Sequence, residues 1–180
     1  MHPLIPLAVG ILAVALFLLS YQQKTRMRII LFNTASRVLY ILQYILLGAY
    51  EGAVLDILGA VSSIVAGRKH AGFVQKHARL LLILIDAVIV AAGLILYENV
   101  YSLLPIAGVL LHTTAFWIED EKIIRRVSLA GSPFWFVYNF SEAAYGSALG
   151  DLLTIGSILV AMFRYRKKAD PSQNTPDQNP

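Results

Sequence analysis

Segments of this sequence recur within the chain at a nearly fixed distance. Early in each copy the offset is 99 residues, where Pro6, Ala8, Leu12 and Phe17 recur as Pro105, Ala107, Leu111 and Phe116. Later the offset is 95, where Tyr50, Asp56 and Ser62 recur as Tyr145, Asp151 and Ser157. The difference of four residues is about one helical turn, so the facing of the side chains is roughly kept. The pattern predicts two copies of one three-helix unit.

The composition places this unit in a membrane. Of 180 residues, 57% are hydrophobic and 14% are charged, and a soluble domain of this size could not cover so much apolar surface with so few charges. The apolar runs are roughly 17 to 21 residues long, enough to cross a bilayer. We therefore predict an all-α membrane protein with seven transmembrane helices. The predicted spans are 3–20, 29–49, 51–67, 80–97, 101–118, 127–146 and 148–165.

The basic residues indicate the orientation. Apart from Arg37, every Lys and Arg lies in the first, third or fifth loop or at the C-terminal end. The positive-inside rule then places the N-terminus outside and the C-terminus in the cytoplasm. Because three spans invert the chain, a linker helix must precede a second parallel copy. The predicted plan is 3+1+3, with a first repeat at 1–67, a linker helix at 80–97, a second repeat at 101–168 and a disordered cytoplasmic tail at 169–180.

Three segments carry a family resemblance. They read QYILLGAYEGAVLD at 43–56, LLPIAGVLLHTTAFW at 103–117 and WFVYNFSEAAYGSALGD at 135–151. The chain resembles the YgjV-type bacterial inner-membrane proteins over nearly its whole length apart from the tail, which implies an inner-membrane location and a multi-pass fold. More remotely, the 3+1+3 plan is similar to the SWEET sugar facilitators and the PnuC vitamin transporters. That resemblance implies two triple-helix bundles around a central solute site.

An inner layer of polar residues is predicted within the membrane. An ionisable side chain at the centre of a spanning helix costs on the order of 3 kcal/mol, so each one needs a reason. From the rise per residue, Arg37, Asp86 and His112 lie about 9–12 Å from the cytoplasmic face. The favoured interpretation is a buried Arg37–Asp86 pair that holds the linker helix against the first bundle. Alternatively, Arg37 or His112 contacts an anionic or polar solute, or His112 relays a proton.

An outer layer is predicted on the opposite side, with two acids at its rim. Its members are Gln43, Asp56, Asn139, Glu142 and Asp151, with Glu51 and Glu98 at the rim. Asp56 and Asp151 are equivalent in the repeat, and Gln43 and Asn139 nearly so. Such acidic groups would favour cationic or neutral hydroxyl-rich solutes. The alternative for Glu51 and Asp151 is that they cap helix N-termini.

The sixth span contains Pro133, which should break or kink the helix. Trp135 follows near mid-membrane, where it could stack on a sugar or heterocycle or serve as plain packing. The predicted solute-binding residues are Gln43, Asp56, Trp135 and Asn139. The predicted intramembrane polar network contains Arg37, Asp86, His112, Glu142 and Asp151.

These observations favour a small-solute transporter or facilitator with its site between the two bundles. The alternative is a non-transporting structural, lipid-binding or partner-binding membrane protein. The chain lacks a phosphate-binding glycine loop, a metal-ligand cluster and a nucleophile motif, so no enzyme activity, metal or cofactor is expected. The expected partners are membrane lipids and a small polar or cationic solute, and not nucleic acid. The oligomeric state is left open.

Overall fold

The computed structural model describes residues 4–97, 99–141 and 145–167. In these ranges the chain forms seven α-helices and a 3₁₀ turn at Val100–Ser102. The helices are α1 Leu4–Tyr21, α2 Arg26–Leu47, α3 Tyr50–Gly67, α4 Gly72–Ile95, α5 Leu103–Trp117, α6 Glu121–Ser141 and α7 Tyr145–Lys167. Glu98, Glu142 and the tail predicted at 169–180 lie outside the described residues.

Most of these helices suit a bilayer by length and composition. Five stretches are long and apolar enough to cross a membrane: α2, α3, α4, α7 and the combined stretch Val100–Trp117. The outward side chains are apolar, as Ile11, Leu84 and Val160 illustrate with 52–61% exposure. A helix pairs its backbone N–H and C=O groups internally, which a bilayer requires because lipid tails offer no hydrogen-bond partner. The predicted class, an all-helical multi-pass membrane protein, agrees with this structure.

Six helices close a ring and the seventh lies outside it. Neighbouring helices follow the order α1, α2, α3, α5, α6 and α7, and α7 returns to pack on α1. Helix α4 packs on the outer side of α3 and α5, and only 11% of its most apolar stretch is buried. It begins at Gly72, before the predicted start at 80, and it is kinked at His77, where φ is −113° and ψ is 17°.

The buried positions of the helices recur at one constant offset. Ile29, Asn33, Arg37, Gln43 and Tyr44 are buried on α2, and Ile124, Ser128, Ser132, Tyr138 and Asn139 are buried 95 residues later on α6. On α3 and α7 the same offset joins Asp56 to Asp151 and Ala66 to Ala161. At this offset Gln43 aligns with Tyr138, and Asn139, one residue further, aligns with Tyr44.

Pro133 does not break α6, so of the two predicted effects the break does not occur, and the kink stays a prediction. Residues Glu121–Ser141 form one helix that includes the proline. Pro133 has no N–H to donate to the carbonyl four residues earlier. Beside it, the Ser132 hydroxyl donates to the Ser128 carbonyl at 3.0 Å, so part of the local hydrogen bonding is supplied by a side chain. The helix therefore carries Trp135 and Asn139 in fixed register with its first half.

Basic side chains join the helix ends at the side where α1, α3 and α5 finish. Arg26 Nε donates to the Ile118 carbonyl and its Nη2 to the Ala66 carbonyl, both at 2.8 Å. Lys69 Nζ donates to the Trp117 carbonyl at 2.7 Å. The last carbonyls of a helix have no partner inside it, so these contacts satisfy them and lock neighbouring helices together. At the same side Asp120 accepts from the N–H groups of Lys122 and Ile123 at the start of α6, which lowers the pKa of its carboxyl.

Arg125 also joins helix ends at this side, and we call Arg26, Lys69 and Arg125 the braces. Arg125 is the most buried of the three. We expect Arg125→Gln to be destabilising by about 1–3 kcal/mol. Its Nη2 donates to the Gln23 carbonyl at 2.7 Å and its Nε to the Tyr21 carbonyl at 3.2 Å. The shorter amide cannot reach both carbonyls. Thermal unfolding in detergent measures the loss. The matched control is Arg126→Gln, an exposed neighbour, and an equal loss in both variants would contradict a bracing role.

Candidate functional site

A small cavity lies at the centre of the six-helix ring, and each of the six helices contributes to its wall. The lining residues are Phe17, Arg37, Tyr40, Tyr44, Asp56, His112, Ser132, Trp135, Asn139 and Asp151. Its volume is about 30 Å³, enough for one or two groups of the size of water. Pockets for small molecules usually measure about 300–1,000 Å³. In this conformation the cavity is therefore too small to hold a solute of ordinary size.

One wall of the cavity is a buried ion pair between α2 and α3. Arg37 Nη1 donates to Asp56 Oδ1, and the two side chains are only 4% and 6% exposed. Arg37 Nε also donates to Asn33 Oδ1 at 3.2 Å. The predicted Arg37–Asp86 pair is wrong. Asp86 faces Thr114 from α4, and because α4 lies outside the ring its side chain stays away from the cavity.

Glycines make room for two of the charged or titratable side chains. A Cβ on Gly59 of α3 would lie 2.4 Å from Arg37 Nη1, so the guanidinium lies directly on the α3 backbone. A Cβ on Gly131 of α6 would lie 2.8 Å from His112 Nδ1. Real Cβ atoms do not approach other atoms so closely. The positions of Arg37 and His112 thus depend on residues with no side chain.

The opposite wall carries a second polar pair and two unused acceptors. Asn139 Nδ2 donates to Asp151 Oδ2 at 2.9 Å, and both residues are buried. His112 Nδ1 donates to the Gly108 carbonyl at 2.8 Å, which makes Nε2 of the neutral ring an acceptor. Neither His112 Nε2 nor Asn139 Oδ1 has a hydrogen-bond partner among the described residues. The cavity therefore retains hydrogen-bonding capacity.

Aromatic rings form the rest of the wall. Tyr40 and Tyr44 are stacked with ring centroids 6.2 Å apart, and Phe17 meets Tyr40 edge-on at 6.2 Å. Trp135 meets Tyr138 edge-on, also at 6.2 Å. Trp135 is buried and lines the cavity, so it combines packing with access to the site.

Sequence reasoning missed Phe17, Tyr40, Tyr44 and Ser132. Aromatic residues in an apolar run look like ordinary core. A signal was nevertheless present on α2, where Asn33, Arg37, Tyr40 and Tyr44 follow at spacings of four, three and four residues. Such spacing puts them on one helix face together with the arginine.

The predicted solute-binding residues do not all meet. Asp56, Trp135 and Asn139 line the central cavity, whereas Gln43 lines a groove of about 180 Å³ between α1 and α7. The Gln43 amide lies against Gly10, and its Oε1 has no hydrogen-bond partner in the described part of the chain. The predicted rim acid Glu51 accepts a hydrogen bond from the Tyr138 hydroxyl at 3.3 Å.

Of the predicted polar network, Arg37, His112 and Asp151 reach the cavity and Asp86 does not. Glu142 lies outside the described residues. Within the ranges that the structure describes, no group of three or more His, Asp or Glu side chains could hold a metal ion. The site is thus an ion pair, an amide–carboxyl pair, a neutral histidine and an aromatic wall.

Comparison with known proteins identifies the family. A family model described as "Bacterial inner membrane protein" matches residues 4–169, which is most of the chain and includes every residue of the cavity. No curated protein and no solved structure gives a significant match. The inner-membrane location of the family agrees with the apolar helices of the structure. The chain therefore belongs to the YgjV family of multi-pass proteins of the bacterial inner membrane.

Proposed function

We propose that this protein is a transporter or facilitator of a small polar solute and that the central cavity is its solute site in a closed conformation. One observation carries the proposal: Arg37, Asp56, His112 and Asp151, from four different helices, converge on one cavity inside the ring. Each ionisable group in a spanning helix costs on the order of 3 kcal/mol. Ionisable groups at this depth usually mark functional sites, and four of them at one place therefore support a solute site.

The helix arrangement supports this proposal. We infer two parallel units, α1–α3 and α5–α7, joined by α4 as a linker. The constant 95-residue offset of buried positions favours this plan. The contacts between the units also favour it, because α3 packs on α5, the first helix of the other unit, and α7 likewise packs on α1. Parallel repeats of this kind occur in transporters whose substrate site lies between the repeats.

The inferred orientation has the N-terminus outside and the C-terminus in the cytoplasm. Arg26, Lys69 and Arg125 all lie at the end where α1, α3 and α5 finish, and the positive-inside rule favours the cytoplasm for that end. Between these braces and the cavity lies a buried apolar cluster that includes Ile29, Phe116 and Ile124. We infer that this packing closes the cytoplasmic side of the site in this conformation.

Two acceptors without a hydrogen-bond partner support a solute site at the cavity, and Thr34 Oγ1 and Gln43 Oε1 are buried acceptors of the same kind elsewhere in the described residues. Structural networks satisfy their buried polar atoms with internal partners. Here the Arg37–Asp56 and Asn139–Asp151 pairs are satisfied, but His112 Nε2 and Asn139 Oδ1 have no partner among the described residues. Two acceptors at one cavity favour a ligand that donates hydrogen bonds.

Uptake into proteoliposomes tests the proposal. With a panel of sugars, nucleosides, vitamins and polyamines, we expect protein-dependent uptake of at least one class and a loss of about tenfold or more in Asn139→Ala. Such a loss is the size expected when a bound polar group loses its buried partner. The control is Val137→Ala on the same helix, because Val137 is 42% exposed on the outer surface. Equal losses in both variants would contradict a central site.

A lipid-binding role is the second candidate, and the groove between α1 and α7 favours it. This groove of about 180 Å³ is lined mainly by apolar residues and glycine, including Leu7, Gly10, Val14 and Leu153. Uptake of no solute, together with a lipid retained by the purified protein in native mass spectrometry, would favour this role over transport.

A further inference from the structure

The two aspartates at the cavity occupy equivalent positions but have different partners. Asp56 and Asp151 are related by the 95-residue offset. Asp56 is paired with Arg37, whereas the position equivalent to Arg37 is Ser132. Within the described ranges Asp151 has no ion-pair partner, and its one hydrogen bond comes from the neutral amide of Asn139. The second unit thus has the carboxyl group of the first unit without its guanidinium.

The cavity supplies the other groups that bind an organic cation. The rings of Phe17, Tyr40, Tyr44 and Trp135 line the same space as Asp151. Tyr40 and Tyr44 line this cavity together with both Asp56 and Asp151. Aromatic faces attract ammonium and guanidinium groups, and the attraction grows when the site is closed to water.

Hydrogen bonding and size favour the same ligand class. Asn139 Oδ1 is an acceptor without a partner among the described residues, it is 97% buried with its side chain on the cavity, and it can take an N–H from a ligand. The volume of about 30 Å³ suits a single ammonium group. Sodium is the inorganic alternative, because Asp151, Asn139 and Ser132 also bring oxygen atoms to the cavity, and it is therefore included in the test.

We propose that the cavity binds a small organic cation, with an ammonium or guanidinium head group at Asp151 in the role that Arg37 has at Asp56. The proposal rests on the transport function above and names its substrate class. In this arrangement Arg37 is a built-in cation of the first unit, and the solute supplies the cation of the second.

Calorimetric titration of the purified full chain in detergent tests the proposal without requiring transport. The probes are methylammonium and methylguanidinium chloride, with methylurea as a neutral analogue of nearly the same shape and sodium chloride as the inorganic arm. We expect an organic cation to bind, methylurea not to bind, and Asp151→Asn to weaken binding at least tenfold. The isosteric Asn keeps the shape of the site. Asp86→Asn, which changes an acid outside the ring, should leave binding unchanged.

A tethered guanidinium gives a second, independent variant. Thr154 stands at the position equivalent to Gly59, so Ser132→Arg is combined with Thr154→Gly to copy the first unit into the second. We expect this folded double variant to lose cation binding at least tenfold, because its own arginine occupies Asp151. Thermal unfolding and circular dichroism verify that the double variant is folded. If it is not folded, the binding measured with Asp151→Asn tests the proposal instead.

Several results would overturn the proposal: equal binding of methylurea and methylguanidinium, binding of sodium alone, no binding of any probe, or unchanged binding in Asp151→Asn. Uptake of a neutral solute that depends on Asn139, without cation binding, would overturn the cation site and leave the transport function standing. Cation binding at Asp151 without uptake of any solute would support the cation site and overturn the transport function.

Discussion

Arg37→Met is expected to be destabilising by about 3–5 kcal/mol, which is the largest effect that we predict for a single substitution. Asp56 is 5% exposed, and Arg37 is the cationic partner that the described structure gives it. Without the guanidinium, a carboxylate must stay buried and unpaired or take up a proton. Unfolding in detergent, followed by circular dichroism against temperature or denaturant, measures the loss.

A double variant separates the ion pair from simple packing. In Arg37→Met with Asp56→Leu the buried charge is absent on both sides, and replacing a whole buried pair by apolar residues is often neutral or stabilising. We therefore expect the double variant to be more stable than Arg37→Met alone, with a coupling free energy within the range of about 0.5–3 kcal/mol seen for residues in contact. Additive losses would show that Arg37 matters only for its volume.

Gly59→Val is expected to be destabilising by about 3 kcal/mol. The added Cβ alone would lie 2.4 Å from Arg37 Nη1 and 2.9 Å from its Cζ. Overpacking of a filled interior costs about 1–3 kcal/mol, and here the displaced atoms also belong to the ion pair with Asp56. We expect a large fall in the unfolding temperature and, where uptake is measurable, loss of uptake.

Gly156→Val on α7 is the matched control. It is also a glycine within a membrane helix, but nothing lies within 4 Å of an added Cβ. Because valine has a better helix propensity than glycine, we expect no loss or a gain of a few tenths of a kcal/mol. Equal destabilisation at both positions would mean that the close approach of Arg37 to α3 does not govern stability.

The fold class could be read from the sequence with good accuracy because it depends on local composition. Apolar runs long enough to cross a bilayer predict helices, and the helices appear where those runs lie. The misses are local. Helix α4 begins at Gly72 rather than at the predicted residue 80, and its first turns lie before the kink at His77. Pro133 does not break α6, since a helix packed on both sides tolerates one missing hydrogen bond. The 3+1+3 plan and the orientation remain predictions.

For each site residue, the sequence predicted the depth in the membrane but not the direction in which the side chain points around its helix. Counting residues along a span gives height in the membrane, and Arg37 and Asp86 were paired because their heights agree. Their separation follows from where α4 sits, which no count along the chain contains. Gln43 fails for the same reason: its neighbour Tyr44, one residue and about 100° further round the helix, faces the central cavity instead.

The sequence by itself determined that this chain is helical and membrane-embedded and that acids lie 95 residues apart at Asp56 and Asp151, because those properties follow from composition, hydrophobic runs and the order of residues. Only the tertiary structure decided which polar groups meet. It closed six helices into a ring, excluded Asp86, and gave Asp56 an arginine while leaving Asp151 with an amide. The physical reason is that the energy of a buried charge depends on its neighbours in space, and helix packing brings together residues that are far apart along the chain.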